Sequence, residues 1–223
     1  RWIMTSGTRY FIVHELLRRV ILDALGRATE TRAHVTWGEH LASLEPRFTS
    51  CAVDHFLQAG DLGRAGAVAR NAVRAVRGAG MISEAADLLA TAADCGSELS
   101  ALEWQELGQL QLAVCRYEAA QAAFEKCLSF SSSQSSPTDP YTAHIGLALA
   151  KLGDGSGGTT SMADGALNRV LDMALQAKAW RAALSIQEVR IRLRERRGEF
   201  VSIRRLLDQV MLWPLPTDRR TGL

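Results

Sequence analysis

Few residues in this chain are spaced for catalysis. His14-Glu15-Leu16-Leu17-Arg18 begins like the zinc-protease pattern HExxH, in which histidines one helical turn apart hold the metal and the glutamate activates water. The second ligand position is occupied by Arg18, so His14 is read as a junction residue that hydrogen-bonds locally. His34, His40, His55 and His144 fall on separate predicted helices without a paired carboxylate or cysteine, and no metal set is visible. The run GDGSGGTT at 153–160 has the glycines of a phosphate loop but no Lys before its Ser/Thr and no preceding apolar strand, so it is expected to be a mobile inter-helix loop. No Gly-x-Ser-x-Gly elbow or paired-carboxylate constellation emerges. The expectation is a non-enzymatic chain with no cofactor and no metal.

Cationic side chains offer a second kind of chemistry. Arg70, Arg74 and Arg77 recur at four- and three-residue steps, which puts them on one face of a helix. A stripe of guanidiniums presents forked donors suited to carboxylates or phosphates. It is either the wall of a ligand groove or an ordinary solvated face. Arg190, Arg192, Arg194, Arg196 and Arg197 instead spread round their helix, which reads as a solvated or partner-facing surface. With 26 Lys+Arg against 24 Asp+Glu the chain lacks the dense positive surface of a general nucleic-acid binder.

The elements that carry these residues are helical. Ala is the commonest residue, at 33 of 223, which favours close-packed helices because Ala has the highest helix propensity and lets axes approach. No apolar run approaches the roughly 20 residues that span a bilayer. Cys51, Cys95, Cys115 and Cys127 have no CxxC spacing and are expected to be free thiols of a reducing cytoplasm. The chain opens at Arg1, and its first residues lack the pattern of a signal peptide, so a piece of a longer polypeptide is expected. Thr5-Ser6-Gly7, flanked by β-branched and aromatic residues, predicts a short hairpin. HELLRRVILDALG then predicts a helix ending at Gly26, and a second spans roughly Thr29 to Leu44, closed by Pro46. From about Ser50 breaks recur at Gly60, Gly80, Gly96, Cys115, the Ser-rich SSSQSSPTDP, the Gly-rich run, Lys178 and Gly198.

Even spacing of helices and breaks points to a repeat. Trp104, Leu107, Gly108, Tyr117, Ala120 and Phe124 match the tetratricopeptide (TPR) spacing W-x2-L-G and A-x3-F of a 34-residue helix-turn-helix unit. Gln111 stands where an aromatic is usual and Cys115 where a turn glycine is usual. Gly108 would admit the partner helix, Ala120 would sit at the crossing, and Trp104 with Phe124 would fill the space beside them. Weaker echoes occur around Gly60 (Phe56, Leu62, Ala65), Gly80 (Val76, Ile82, Ala85, Leu89) and Gly198 (Phe200, Ile203, Leu207). The helix from Leu62 to about Arg77 must close one pair and open the next. The expected fold is all-α: a TPR-like right-handed α-solenoid of helix pairs with a short N-terminal β-hairpin. In such an array the first helix of each pair lines a concave face, which would place Arg70, Arg74 and Arg77 on the groove side and Gln105 and Gln109 at equivalent places in the next pair.

The opening block, with Phe11, His14, Leu16 and Arg18, then Arg32, His34 and Leu41, then HFLQAGDLGRA, resembles a junction in signal-transduction ATPases and large LuxR-type regulators. There a winged-helix module ends and a TPR-like arm begins; protein kinases with an appended ATPase and TPR tail look similar. The resemblance covers about residues 1–130 and implies a wing hairpin at residues 2–13 and a module end at 1–48; with the generic repeat that follows, TPR-like repeats are expected over 49–223. It implies an interaction or inducer-sensing arm that binds a protein segment or a small inducer and signals to other domains of the same polypeptide; if the arginine stripe lines the groove, the segment is acidic or the inducer anionic. A free-standing TPR adaptor that docks peptide segments is the alternative.

Overall fold

The structure, a computed structural model, describes residues 3–6, 9–12, 19–20, 23–24, 26–131, 140–153 and 157–213. Two short strands, β1 (Ile3–Ser6) and β2 (Arg9–Ile12), pair antiparallel with Ile3 opposite Ile12. A two-stranded ribbon does not by itself make a winged-helix module, and nothing else among the described residues supports one. The helix expected over residues 14–25 lies mostly outside the described residues, as does the Ser-rich segment 132–139.

Ten helices follow among the described residues: α1 (Arg27–Ala42), α2 (Thr49–Gln58), α3 (Leu62–Gly78), α4 (Ile82–Asp94), α5 (Ala101–Ala113), α6 (Tyr117–Ser131), α7 (Pro140–Gly153), α8 (Gly157–Gln176), α9 (Trp180–Arg196) and α10 (Phe200–Met211). A 3-10 turn, Pro46–Phe48, joins α1 to α2. The expected loop at 153–160 is corrected at its ends, since α7 runs through Gly153 and α8 begins at Gly157; residues 154–156 lie outside the described residues. Its glycines are tolerated as a first helical turn because later turns of α8 bury Leu167, Val170, Leu171 and Ala174.

Six of the breaks share one backbone device. The helix ends on a residue in the left-handed region: Gly60, Gly80, Gly96, Cys115, Lys178 or Gly198. The next N–H then reaches back five positions, Asp61 to the carbonyl of Phe56, Met81 to Val76, Ser97 to Ala92, Arg116 to Gln111, Ala179 to Ala174 and Glu199 to Arg194. This Schellman closure satisfies a carbonyl that the helix end leaves without a partner and turns the chain sharply. Cys115 and Lys178 adopt φ of 59° and 55°, which costs a residue bearing a Cβ of order 1 kcal/mol or more. Among the described residues, side chains cap the starts of α3 and α5: Asp61 accepts from the Arg64 N–H, and Ser100 with Glu103 forms a reciprocal capping box.

The chain forms two compact units, Arg1–Glu98 and Leu99–Leu223. Within the first, α1 packs along α2 across the expected boundary at residue 48. The Phe56 ring occupies the space that Gly38 leaves open, and a Cβ on Gly38 would lie 2.9 Å from the ring. In the first unit α2 touches α1 and α3, and α3 touches α4. In the second, each helix from α5 to α10 packs on the next, and α7 also touches α5 and α9. Contact with neighbours and next neighbours is the packing of a helical-repeat array.

Candidate interaction surfaces

The residues expected to set the repeat packing sit at the α5/α6 contact. Ala120 and Phe124 are fully buried, Leu107 and Gly108 are buried, and Trp104 and Tyr117 are half-buried. The Phe124 ring is held between two glycines, Gly108 on α5 and Gly146 on α7; a Cβ added to either would come within 2.7 or 2.2 Å of it. Tyr117 crosses α7 at Gly153 in the same way, where a Cβ would lie 2.1 Å from the ring. Gly38 and Gly146 went unrecognised in the sequence, and Gly153 was read only as part of the Gly-rich run. A signal existed for one of them: Ile145-Gly146 repeats the Leu107-Gly108 pair.

Arg70, Arg74 and Arg77 are exposed along α3, while Ala65, Ala69, Val73 and Val76 on its other side are buried. Gln109 is exposed, whereas Gln105 is half-buried with its Oε1 inside the protein and without a hydrogen-bond partner. The arginines belong to the first unit and the glutamines to the second.

The arginine-rich helix α9 departs from expectation. Arg190 is 6% exposed; its Nε donates to Asp164 Oδ1 of α8 at 2.9 Å and its Nη1 to Gln187 Oε1 at 3.1 Å. Arg194 Nη2 donates to the other carboxylate oxygen of Asp164 at 2.9 Å. Arg192 pairs with Glu188, Arg196 donates to the Leu152 carbonyl on α7, and Arg197 lies 3.6 Å from Glu199. These arginines are thus divided among helix contacts and do not form a uniformly solvated surface. Burial alone would raise the Asp164 carboxyl, but the bonds from Arg194 and Arg190 outweigh it and hold the group below its ordinary range.

The two guanidiniums form the floor of a groove of about 540 Å³ between α8 and α10. Asn168 and Asp172 stand on the α8 side, Arg205 and Gln209 on the α10 side, with Leu171, Leu175, Leu206 and Trp213 supplying apolar walls. Among the described residues, Arg190, Arg194 and Arg205 against Asp164 and Asp172 leave one surplus positive charge, and Arg194 Nε is buried without a partner. A surplus cation with part of its guanidinium buried, beside an open groove, favours an anionic group there.

Other features offer less chemistry. A second space of about 510 Å³ is lined by Leu112, Tyr117, Leu149, Arg192, Glu195 and Arg196, so its charges of both signs lie close together. His34 and His55, which the sequence put on separate helices, meet across α1 and α2 with Nδ1 atoms 2.8 Å apart. Burial, then the neighbouring His34, lowers the affinity of His55 for a proton. Among the described residues no group of three or more His, Cys, Asp or Glu could hold a metal, and no helix is long and apolar enough to cross a membrane. All four cysteines are free thiols, Cys127 buried and Cys51 and Cys115 exposed.

No family model and no curated protein matches the chain. Two solved structures of nearly identical TPR-like repeats from a Podosopora anserina protein described as a kinesin light chain, one carrying a single substitution, share its architecture. Their TM-scores are 0.52 and 0.51 at 19% identity, over 81% of this chain and 92% of theirs. The chain is therefore similar in fold to TPR-like helical repeats.

Proposed function

We propose that this chain is a non-enzymatic protein-interaction module that receives an acidic side chain of a partner segment in the groove between α8 and α10. The observation that carries this reading is the Arg190–Asp164–Arg194 triad, whose one carboxylate leaves a guanidinium charge uncompensated on the groove floor. The TPR-like fold supports the general role, since stacked helix pairs present extended binding surfaces. The resemblance of the opening block to signal-transduction ATPases, LuxR-type regulators and kinases supports a finer one. In it the chain is a cytoplasmic sensing arm of a larger signalling polypeptide, with a free-standing adaptor as the alternative. The stripe Arg70, Arg74, Arg77 is a second candidate surface for the same chemistry, favoured by its exposure and helical register.

Arrayed random peptides probed with the full chain test this proposal. The captured set should be enriched in Asp and Glu over the array, and Arg205→Glu, which reverses a charge at the groove wall, should abolish that enrichment. No enrichment overturns the proposal. Enrichment that survives Arg205→Glu but is lost on replacing Arg70, Arg74 and Arg77 by Gln moves the site to α3.

A further inference from the structure

Helix α10 has one face turned inward and one left uncovered. Leu206 and Val210 are 3% and 5% exposed, whereas Phe200, Val201, Leu207 and Met211 are 70%, 72%, 49% and 73% exposed. At about 100° per residue these four fall in one sector roughly 120° wide. The sector also holds Arg204 and Asp208, both exposed, and no ion pair joins them within the helix. A merely solvated face would be polar throughout; this one is apolar at both ends with two opposite charges at its middle.

The arrangement is self-complementary. If α10 is laid antiparallel on a copy of itself and centred at the level of residue 206, Arg204 of each copy faces Asp208 of the other. Phe200 and Val201 at one end then meet Met211 at the other. We propose that two copies of this chain associate through this stripe of α10 about a two-fold axis. The contact is isologous, as closed dimers require, and places two opposite-charge pairs beside apolar ends. Arg205 and Gln209 lie on the groove side of α10, away from the stripe, so pairing leaves the groove between α8 and α10 open. One helix against one helix belongs at the small end of specific interfaces, about 1,000 Å² in total, which suits a reversible dimer with micromolar dissociation.

The test is sedimentation of the full chain between about 1 and about 300 μM, the range over which a contact of that size class dissociates. Concentration-dependent dimerisation is expected. Arg204→Asp and Asp208→Arg should each weaken it at least about tenfold by setting like charges face to face, and the two substitutions together should restore it to within about threefold. Helical content should stay constant, because neither side chain is buried. A monomer at every concentration overturns the proposal; so does a dimer indifferent to the single reversals or not restored by the double one. If the full chain is monomeric but a chain ended after Trp213 dimerises, the occupant of the face is the segment 214–223 and not a second copy.

Discussion

Replacing Gly146 by Ala should lower stability, although the same change in an open helix raises it. Ala is favoured over Gly within a helix by roughly 1 kcal/mol, largely because glycine has more backbone freedom to lose on folding. At this position the new Cβ would stand 2.2 Å from Cζ of Phe124, whereas non-bonded carbons rest near 3.5 Å, so ring or helix must yield by about an ångström. The ring has nowhere to go. Phe124 is 0% exposed, and the same end of its ring is already seated on Gly108. Overpacking of this kind costs about 2–3 kcal/mol, which after the helix gain leaves a net loss of about 1–2 kcal/mol. For a chain of this size that lowers Tm by about 2–8 °C. Thermal melts followed by far-UV circular dichroism measure it, with Gly165→Ala as control, since nothing lies within 4 Å of a Cβ there. In a Phe124→Leu background the Gly146→Ala change should become neutral or stabilising, because the shorter side chain vacates the contested space. If Gly146→Ala melts at or above the parent while Gly165→Ala gains, the seating of Phe124 between α5 and α7 is refuted.

Three further outcomes follow from named groups. Asp164→Asn leaves Arg190 and Arg194 facing each other without their shared carboxylate and should cost about 1.5–3 kcal/mol in denaturant unfolding, below the range for a fully buried pair because Asp164 and Arg194 keep some exposure. The folded Asp164 carboxyl lies below its ordinary range, so its contribution is present above about pH 4 and is lost as pH falls through the folded value, which a stability–pH profile of the parent and Asp164→Asn would show. His55 binds a proton less readily when folded, so its share of stability is present above about pH 6.5 and declines below it as the unfolded chain takes up the proton first; His55→Gln should flatten that part of the profile. Lys178→Gly should raise stability by about 0.5–1 kcal/mol by relieving φ of 55° at the α8/α9 turn, and no change in melting would mean that the turn carries no strain.

The sequence alone determined the punctuation of this protein. Gly60, Gly80, Gly96 and Gly198 mark helix ends because a left-handed closing residue is a local requirement with few solutions, and even Cys115 and Lys178 were legible from the rhythm of breaks around them. The Trp104–Phe124 block was readable for a similar reason: both helices of that pair, and the turn between them, lie within one short stretch of chain. Tertiary structure decided what meets across larger separations. That Gly146 gives Phe124 a second seat, that Gly38 accompanies Phe56, and that Asp164 on α8 gathers two arginines of α9 depends on axial rotations and crossing points set by the packing of whole helices. The Gly-rich run shows the converse. Its composition favours a loop locally, yet α8 begins at Gly157, because one face of that helix buries Leu167, Val170, Leu171 and Ala174, and tertiary burial outweighs the weak propensity of its first turn.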